Sequence, residues 1–371
     1  MSEIFITGTY RSGSTLVQRI LDNHESIDLY YQPLTQVFVI LKKFFLQRKQ
    51  IKSDLPLSHL FMESRYDTQD FNYYLNNLNL SNEQIIILHN ILQDNKISIS
   101  ISQIRSFLNF TDLFSSMINS FQSAKDRVGV KEILCEEYIP NMISRNLKCI
   151  LIIRDPRDMI TSLNYGKGPS FTGEIRPTLF NIRNWRKSVA FAIKYKSSKN
   201  LLVIKYEDLV NNPSKKLEEI TNFLEIPIYP KSFFSKNLVD GDQAWSGNSS
   251  FRPHQFISNK SVGNFRKVLP SNLLEYIEIL CAPEMNYLEY EILSFERQIE
   301  TSKIINFQET HDSRKEFGKG YSLEKRRIGH EIDRLSYIYS KDVLNSKKKP
   351  FFIFSNVSEE LRDKANSIIL T

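Results

Sequence analysis

An α/β fold, a parallel sheet flanked by helices, is the class this sequence predicts, and three observations predict it. Short apolar runs of strand character at residues 4–6, 127–131, 148–153 ("KCILII") and 201–205 ("LLVIK") alternate with segments of helical periodicity. The first run enters a glycine-bounded turn, Gly8-Thr-Tyr-Arg-Ser-Gly13-Ser-Thr15, after which Leu16, Val17, Ile20 and Leu21 recur at helical spacing. Finally, 371 residues with 41% hydrophobic content suffice for one large core with an elaboration.

The first strand–turn–helix carries the strongest local signal. Gly8, Gly13 and Thr15 are spaced as in a P-loop, whose backbone N–H groups and helix N-terminus cradle phosphates. Ser14 stands where a nucleoside-triphosphate-hydrolysing loop has its lysine, and the cation sits inside the loop at Arg11. The fold is therefore P-loop-like with an altered ligand. His24, ending the first helix, reads as a side chain favouring the helix C-terminus.

Residues 33–125 read as a mostly helical insertion after the first βα unit. Within it Ser81-Asn-Glu-Gln84 forms a capping box before an apolar run. Such an insertion either caps the site at the sheet's edge or packs on one face of the sheet. Strands at 127–131, 148–153 and 201–205 then alternate with helices at 140–146, 156–163 and 178–196. Asn212 and Pro213 supply the cap and first position of a helix running to Leu224. In such a sheet, ligands sit at the carboxyl ends of the strands. Residues 1–300 form the main domain. Residues 301–371 read as a C-terminal extension, whose "SKKKPFFIF" run (346–354) and apolar Val357, Leu361, Ala365 and Ile368 suit docking on the core or on a partner chain.

Composition narrows the function. A net charge of +7 suits an anionic ligand, nucleic acid or an acidic surface, but it is spread along the whole chain. Cys135, Cys149 and Cys281 are odd in number and form no CxxC pair, as expected of reduced thiols in a cytoplasmic protein. The six histidines stand singly without HExxH, so no protein-bound metal is expected. No secretory signal precedes the first strand, and the apolar run at 37–46 is interrupted by Lys42 and Lys43 and too short to span a bilayer. A soluble, cytoplasmic protein is expected.

The second chemical signal is "LIIRDPRDMITSLNYG", residues 151–166. A kinase or ATPase would end this strand in an aspartate that holds magnesium. Here the strand ends in Arg154, and Ser162 follows once Pro156 has started a helix. An arginine and a hydroxyl converging at a strand end favour a phosphate. The plainer alternative makes Arg154 and Asp155 a surface ion pair. Residues 203–227 read as strand–turn–helix without chemistry. Residues 248–269 bring Arg252, Lys260, Arg266 and Lys267 near Gly263, either to place cations and amides on a second phosphate or as a basic surface loop.

From residue 4 to about residue 290 these segments, in order, resemble the sulfotransferases that use 3′-phosphoadenosine 5′-phosphosulfate (PAPS). "YRSGSTL" is similar to the 5′-phosphosulfate loop in its arginine form, as in carbohydrate, trehalose and tyrosylprotein sulfotransferases. "IIRDPRDMITSL" resembles the 3′-phosphate motif. "KYEDLVNNP" and "VGNFRKVL" resemble later segments, with Phe265 in place of a frequent tryptophan. The resemblance implies that Arg11, Ser12, Gly13, Ser14 and Thr15 hold the phosphosulfate, and that Arg154 and Ser162 hold the 3′-phosphate. Gly263, Arg266 and Lys267 are assigned to the second phosphate, and Lys131 to the leaving group. It implies PAPS as co-substrate, PAP as product, no metal, and an unidentified hydroxyl or amine acceptor, a carbohydrate or small molecule. Nucleic acid is not an expected partner; a homo-oligomer is compatible.

One position departs from the family. A catalytic glutamate common in this branch falls at Gln32, in "YYQPLTQ", and an amide cannot take the acceptor's proton. A positioned base is worth ~10²–10⁴-fold. Gln32 is therefore assigned to orient the acceptor, and Glu132, directly after the 127–131 strand, to act as base; its alternative is a solvated strand-end carboxylate. Two other readings stand beside sulfuryl transfer: a small-molecule kinase with a degenerate P-loop, and a non-catalytic nucleotide-binding protein. Truncation after Phe295 is expected to leave PAP binding intact.

Overall fold

Four of the five strands in the central sheet are the runs named above. In a computed structural model that describes residues 2–52, 57, 66–168, 171–172, 176–251, 254–294, 301–309, 325–339 and 353–369, they are β1 (Ser2–Gly8), β3 (Arg127–Lys131), β4 (Lys148–Ile153) and β7 (Leu201–Lys205). The fifth, β2 (Ile27–Tyr31), was not read from the sequence. It is an edge strand on which only Ile27 and Leu29 are buried, so it offers no continuous apolar run. The order is β2-β3-β1-β4-β7, and all pairs are parallel. Between β4 and β7 lies a two-stranded hairpin, β5 (Lys167–Gly168) with β6 (Phe171–Thr172).

Alternation along the strands divides the core into two layers. Ile4, Ile6, Ile150, Ile152 and Ile204 face Val17 and Ile20 of α1 (Ser14–Asp22). Phe5, Leu151 and Ile153 face the other way, into the insertion. There α2 (Thr35–Arg48) lays Phe38 flat on Phe5, with ring centroids 5.6 Å apart. Of the two readings of the insertion, packing on one face of the sheet is the arrangement found. Its helices α3 (Thr68–Asn76), α4 (Asn82–Asp94), α5 (Ile101–Ser106) and α6 (Phe110–Asn119) continue the same layer. The Ser81–Gln84 capping box forms as read, and Ser100–Gln103 makes a second.

Beyond the insertion come α7 (Ile139–Ser144), α8 (Pro156–Tyr165), α9 (Thr178–Tyr195), the short α10 (Tyr206–Asn211) and α11 (Pro213–Leu224). Pro213 opens α11 as expected, but the Asn212 side chain makes no cap bond. His24 is not a helix cap either. Its Nδ1 accepts from the Ser26 amide and its Nε2 donates to the Pro227 carbonyl, while Asn23 bonds the Arg19 carbonyl at the helix end. The main domain closes with α12 (Phe265–Val268) and α13 (Ser271–Tyr287).

The extension contributes α14 (Thr301–Ile305), α15 (Lys325–Tyr339) and α16 (Ser355–Ile369). Val357, Leu361 and Ala365 are buried, and Phe354 packs edge-on against Phe191 of α9. The amphipathic pattern thus docks on the core of its own chain. Of the 346–354 run only Ile353 and Phe354 fall among the described residues; the Ile368 side chain and Arg252 lie outside them. No helix among the described residues is long and apolar enough to cross a membrane.

Candidate active site

The turn between β1 and α1 opens on a cavity of about 100 Å³ at the carboxyl ends of the strands. Gly13 adopts φ +97°, and a Cβ there would collide with the Tyr206 ring. That glycine lets the chain enter α1 with no side-chain cap, so Gly13, Ser14 and Thr15 line the cavity with uncapped first-turn amides. Ser12 Oγ is buried without a hydrogen-bond partner. Arg11 itself sits at φ +58°, a left-handed conformation that a non-glycine residue rarely holds unless its surroundings fix it.

What fixes Arg11 comes from distant segments. Its Nε donates to Ser162 Oγ at 2.9 Å, its Nη1 to Asn248 Oδ1 at 2.8 Å, and its Nη2 to Ser250 Oγ at 2.7 Å and to the Asn248 carbonyl. Ser162 and Ser250 share a further hydrogen bond of 2.5 Å. Burial, with the Arg154 charge acting in the same direction, lowers the Arg11 guanidinium to about 10.

Arg154 lies across the same cavity. Its guanidinium stacks on Tyr206, 4.5 Å from the ring centroid, and donates to the Arg11 carbonyl at 3.2 Å and the Ser261 carbonyl at 2.8 Å. Its Nε is buried without a partner. The surface ion pair considered for Arg154 and Asp155 does not form, because Asp155 instead receives Arg157, at 2.6 Å from Nη2. Arg11, Arg154 and Ser162 therefore converge as expected, with one difference: Ser162 is bonded to Arg11, not to Arg154.

At its carboxyl end β3 finishes in Lys131, opposite Tyr31 of β2 and Ile6 of β1. Lys131 Nζ donates to Gln32 Oε1 at 3.1 Å and lies 3.7 Å from the centroid of the half-exposed Tyr31 ring. The Gln32 amide donates to the Lys131 carbonyl at 3.0 Å, and Gln32 is held at φ +49°. Burial pushes the Lys131 ammonium down to about 7; Glu132 opposes this shift and Arg11 adds to it.

Glu132 is where the expectation needs correction. It is neither a solvated carboxylate nor open to the crevice, being 0% exposed. One oxygen accepts the Leu34 amide at 2.7 Å, the other the Thr35 hydroxyl at 2.5 Å, so it anchors the start of α2, which has no side-chain cap of its own. Burial raises it to about 7 against those hydrogen bonds and the Lys131 charge. With both oxygens engaged, its work is to hold the turn that presents Gln32. Glu132→Ala is expected to lower stability by about 1–3 kcal/mol for each stranded donor, and Glu132→Gln, which keeps one acceptor, by less. Urea unfolding checks this, and equal stability of all three proteins would show that the carboxylate anchors nothing.

A second correction concerns Gly263, Arg266 and Lys267. The Gly263 and Phe265 amides donate to Asp158, at 2.6 and 3.0 Å, which ties this loop to α8. Arg266 turns outward to Glu291 at 2.8 Å, with both side chains largely exposed, and Lys267 is exposed. The same loop reaches the cavity through Ser258, Ser261 and Asn264 instead.

Sequence reading passed over Tyr206, Asn248 and Ser250. Tyr206 follows β7 directly, so its place at a strand's carboxyl end was an available signal. Asn248 and Ser250 had none, because ordinary polar residues in a loop announce no direction. A close approach at Gly168, where a Cβ would meet the Ser249 carbonyl at 2.6 Å, seats this strap against the β5–β6 hairpin. No group of three or more His, Cys, Asp or Glu that could hold a metal occurs among the described residues.

Residues 1–289 match the family model described as Sulfotransferase domain. Carbohydrate sulfotransferase 3 of Tetronarce californica is 24% identical over 165 residues, 40% of this chain and 37% of that protein. Its Mus musculus counterpart is 22% identical over 192 residues, 45% of this chain and 40% of that protein, so the chain spans well under half of these two relatives. Carbohydrate sulfotransferase 1 of Mus musculus is 21% identical, with 82% of both chains covered. Among solved structures, the sulfotransferase domain from the curacin biosynthetic pathway aligns over 78% of this chain and 98% of its own, at 19% identity and TM-score 0.44. By the match over residues 1–289, this chain belongs to the sulfotransferase family.

Proposed function

We propose that this protein transfers a sulfuryl group from PAPS to a hydroxyl or amine of a carbohydrate or small-molecule acceptor. The observation that carries the reading is the pairing of two arginines from separate segments, Arg11 and Arg154, on one cavity beside the uncapped α1 N-terminus. The buried, unpartnered Ser12 Oγ and Arg154 Nε fit an oxyanion-rich ligand with two anionic ends. In the transfer, the acceptor heteroatom gives up its proton to water and bonds to sulfur as the bond from sulfur to the bridging phosphate oxygen breaks, and that oxygen leaves with the electron pair. Arg11, the α1 amides and Lys131 stabilise the charge it gains. Arg154 holds the 3′-phosphate and so fixes the register of the donor. Gln32, braced by Lys131, orients the acceptor.

With Glu132 sealed, the acceptor's own acidity matters more. Acceptors whose proton leaves readily, such as a phenol with pKa ~10, suit this crevice better than an aliphatic alcohol. The test of the donor is calorimetry with PAP and with 5′-AMP, which differ only in the 3′-phosphate. Loss of a charge-assisted hydrogen bond is worth ~1.5–3 kcal/mol, so Arg154→Ala is expected to weaken PAP at least about tenfold and leave 5′-AMP nearly unchanged. Equal affinity of the native protein for both nucleotides would overturn the donor assignment.

A further inference from the structure

We propose that helix α15 of the C-terminal extension positions the donor-binding Arg154, with Glu331 and Arg334 stapling α9 to α13. The inference rests on the PAPS reading, since it concerns the residue assigned to the 3′-phosphate. Helix α15 lies beyond the residues that match the family model, so the device belongs to this chain's own extension.

Two helices hold the strand-end turn that carries Arg154. From α9, Trp185 Nε1 donates to the Arg154 carbonyl at 2.8 Å. From α13, Glu278 pairs with Arg157, whose Nε and Nη2 fork onto Asp155 at 2.9 and 2.6 Å. The place of Arg154 thus depends on how α9 and α13 sit relative to each other.

The staple lies further along those helices. Glu331 of α15 accepts from Arg183 Nε at 2.9 Å and from Arg186 Nη1, both on α9. Arg334 of α15 reaches Glu284 of α13 at 3.1 Å and donates to the Leu280 carbonyl at 2.5 Å, while Arg186 also meets Glu284 at 3.2 Å. All five charged side chains are buried. Three arginines share two carboxylates, and the like charges repel at close range. Without the Glu331 charge, Arg183 and Arg186 lose the carboxylate that neutralises them beside Arg334, and parting the helices relieves the repulsion. Trp185 and Glu278 then no longer hold the Arg154 turn in common register.

Calorimetry on the full chain decides the matter, with PAP and 5′-AMP as probes and Arg154→Ala as the reference for complete loss of 3′-phosphate recognition. Glu331→Gln is expected to weaken PAP at least tenfold while 5′-AMP changes less than twofold. A merely structural role would reduce the binding-competent fraction for both nucleotides alike and leave the ratio of affinities unchanged. That unchanged ratio would overturn the proposal. If Glu331→Gln yields no folded protein, the ratio in Arg334→Lys, which keeps the charge but loses the fork, decides instead. If the native protein does not prefer PAP to 5′-AMP, the donor reading itself fails, and this inference with it.

Discussion

Arg11→Ala is expected to lower turnover by ~10²–10³-fold, the loss typical of one well-placed donor to a developing oxyanion. Arg11 lines the same cavity as the uncapped α1 amides, and its backbone is held in a left-handed conformation. The effect should fall on turnover more than on folding. Removing the part-buried guanidinium relieves its repulsion with Arg154, and Ser162 and Ser250 still bond each other at 2.5 Å. PAP affinity should drop less than turnover, because the charge on the bridging oxygen is largest in the transition state. Arg11→Lys restores a point charge without the fork to Ser162, Asn248 and Ser250, and should recover only part of the rate. Single-turnover transfer from labelled PAPS measures these changes, and Arg11→Ala within threefold of the native rate would remove Arg11 from the chemistry.

Affinity for PAP should fall by at least about tenfold per pH unit above pH ~7, as expected when at least one bound proton accompanies an anion. Lys131 and Glu132 both stand at about 7, pushed there from opposite sides by burial, so they titrate as a pair. Below that pH the pair carries a net positive charge; as pH rises through it, the first proton to leave cancels that charge and the second makes the pair negative. The bound phosphates favour the protonated pair, so binding takes up a proton and weakens with rising pH. The sign is the same whichever member releases the proton. The ligand's own phosphates, with second ionisation near pH ~6, are already charged in this range and cannot mimic the trend. Of the neighbouring groups, Arg11 keeps its charge to about 10, and Tyr31 offers its ring face. Lys131→Arg should flatten the dependence, because a guanidinium stays charged throughout. Calorimetry at pH ~7, ~8 and ~9 checks this, and an unchanged affinity for native protein over that range would show that the pair does not sense the donor.

Much of this site was legible before any coordinates. The Gly8–Thr15 turn and Arg154 announced themselves because each breaks a strong local pattern: a P-loop without its lysine, and an apolar strand ending in a cation where a metal-holding carboxylate is usual. The extension's amphipathic run was legible for the same reason, since Val357, Leu361 and Ala365 share a helical face and all are buried. Its ion cluster was not, because Arg183, Arg186, Arg334, Glu284 and Glu331 look like ordinary surface charges when read singly. That cluster also changes the outlook for truncation after Phe295, which would remove Glu331 and Arg334 from among three buried charges of the main domain.

Residue order alone dictates the alternation of strands and helices, the glycine-bounded turn at the first βα junction, and the cations at Arg11 and Arg154. These follow from periodicity and residue type, which act over a few neighbouring residues. Where polar side chains place their hydrogen bonds is settled by the folded chain. Glu132 follows a β3 strand that ends at the crevice, yet it turns to the Leu34 amide and Thr35 hydroxyl, 98 and 97 residues away in the chain, because a buried carboxylate must be satisfied wherever donors are. Gly263 gives its amide to Asp158, and Ser162 goes to Arg11. Asn248 reaches Arg11 across a separation of 237 residues. Hydrophobic burial fixes which face of an element turns inward, and local sequence records that; a hydrogen bond depends on a partner that only the folded chain brings within 3 Å.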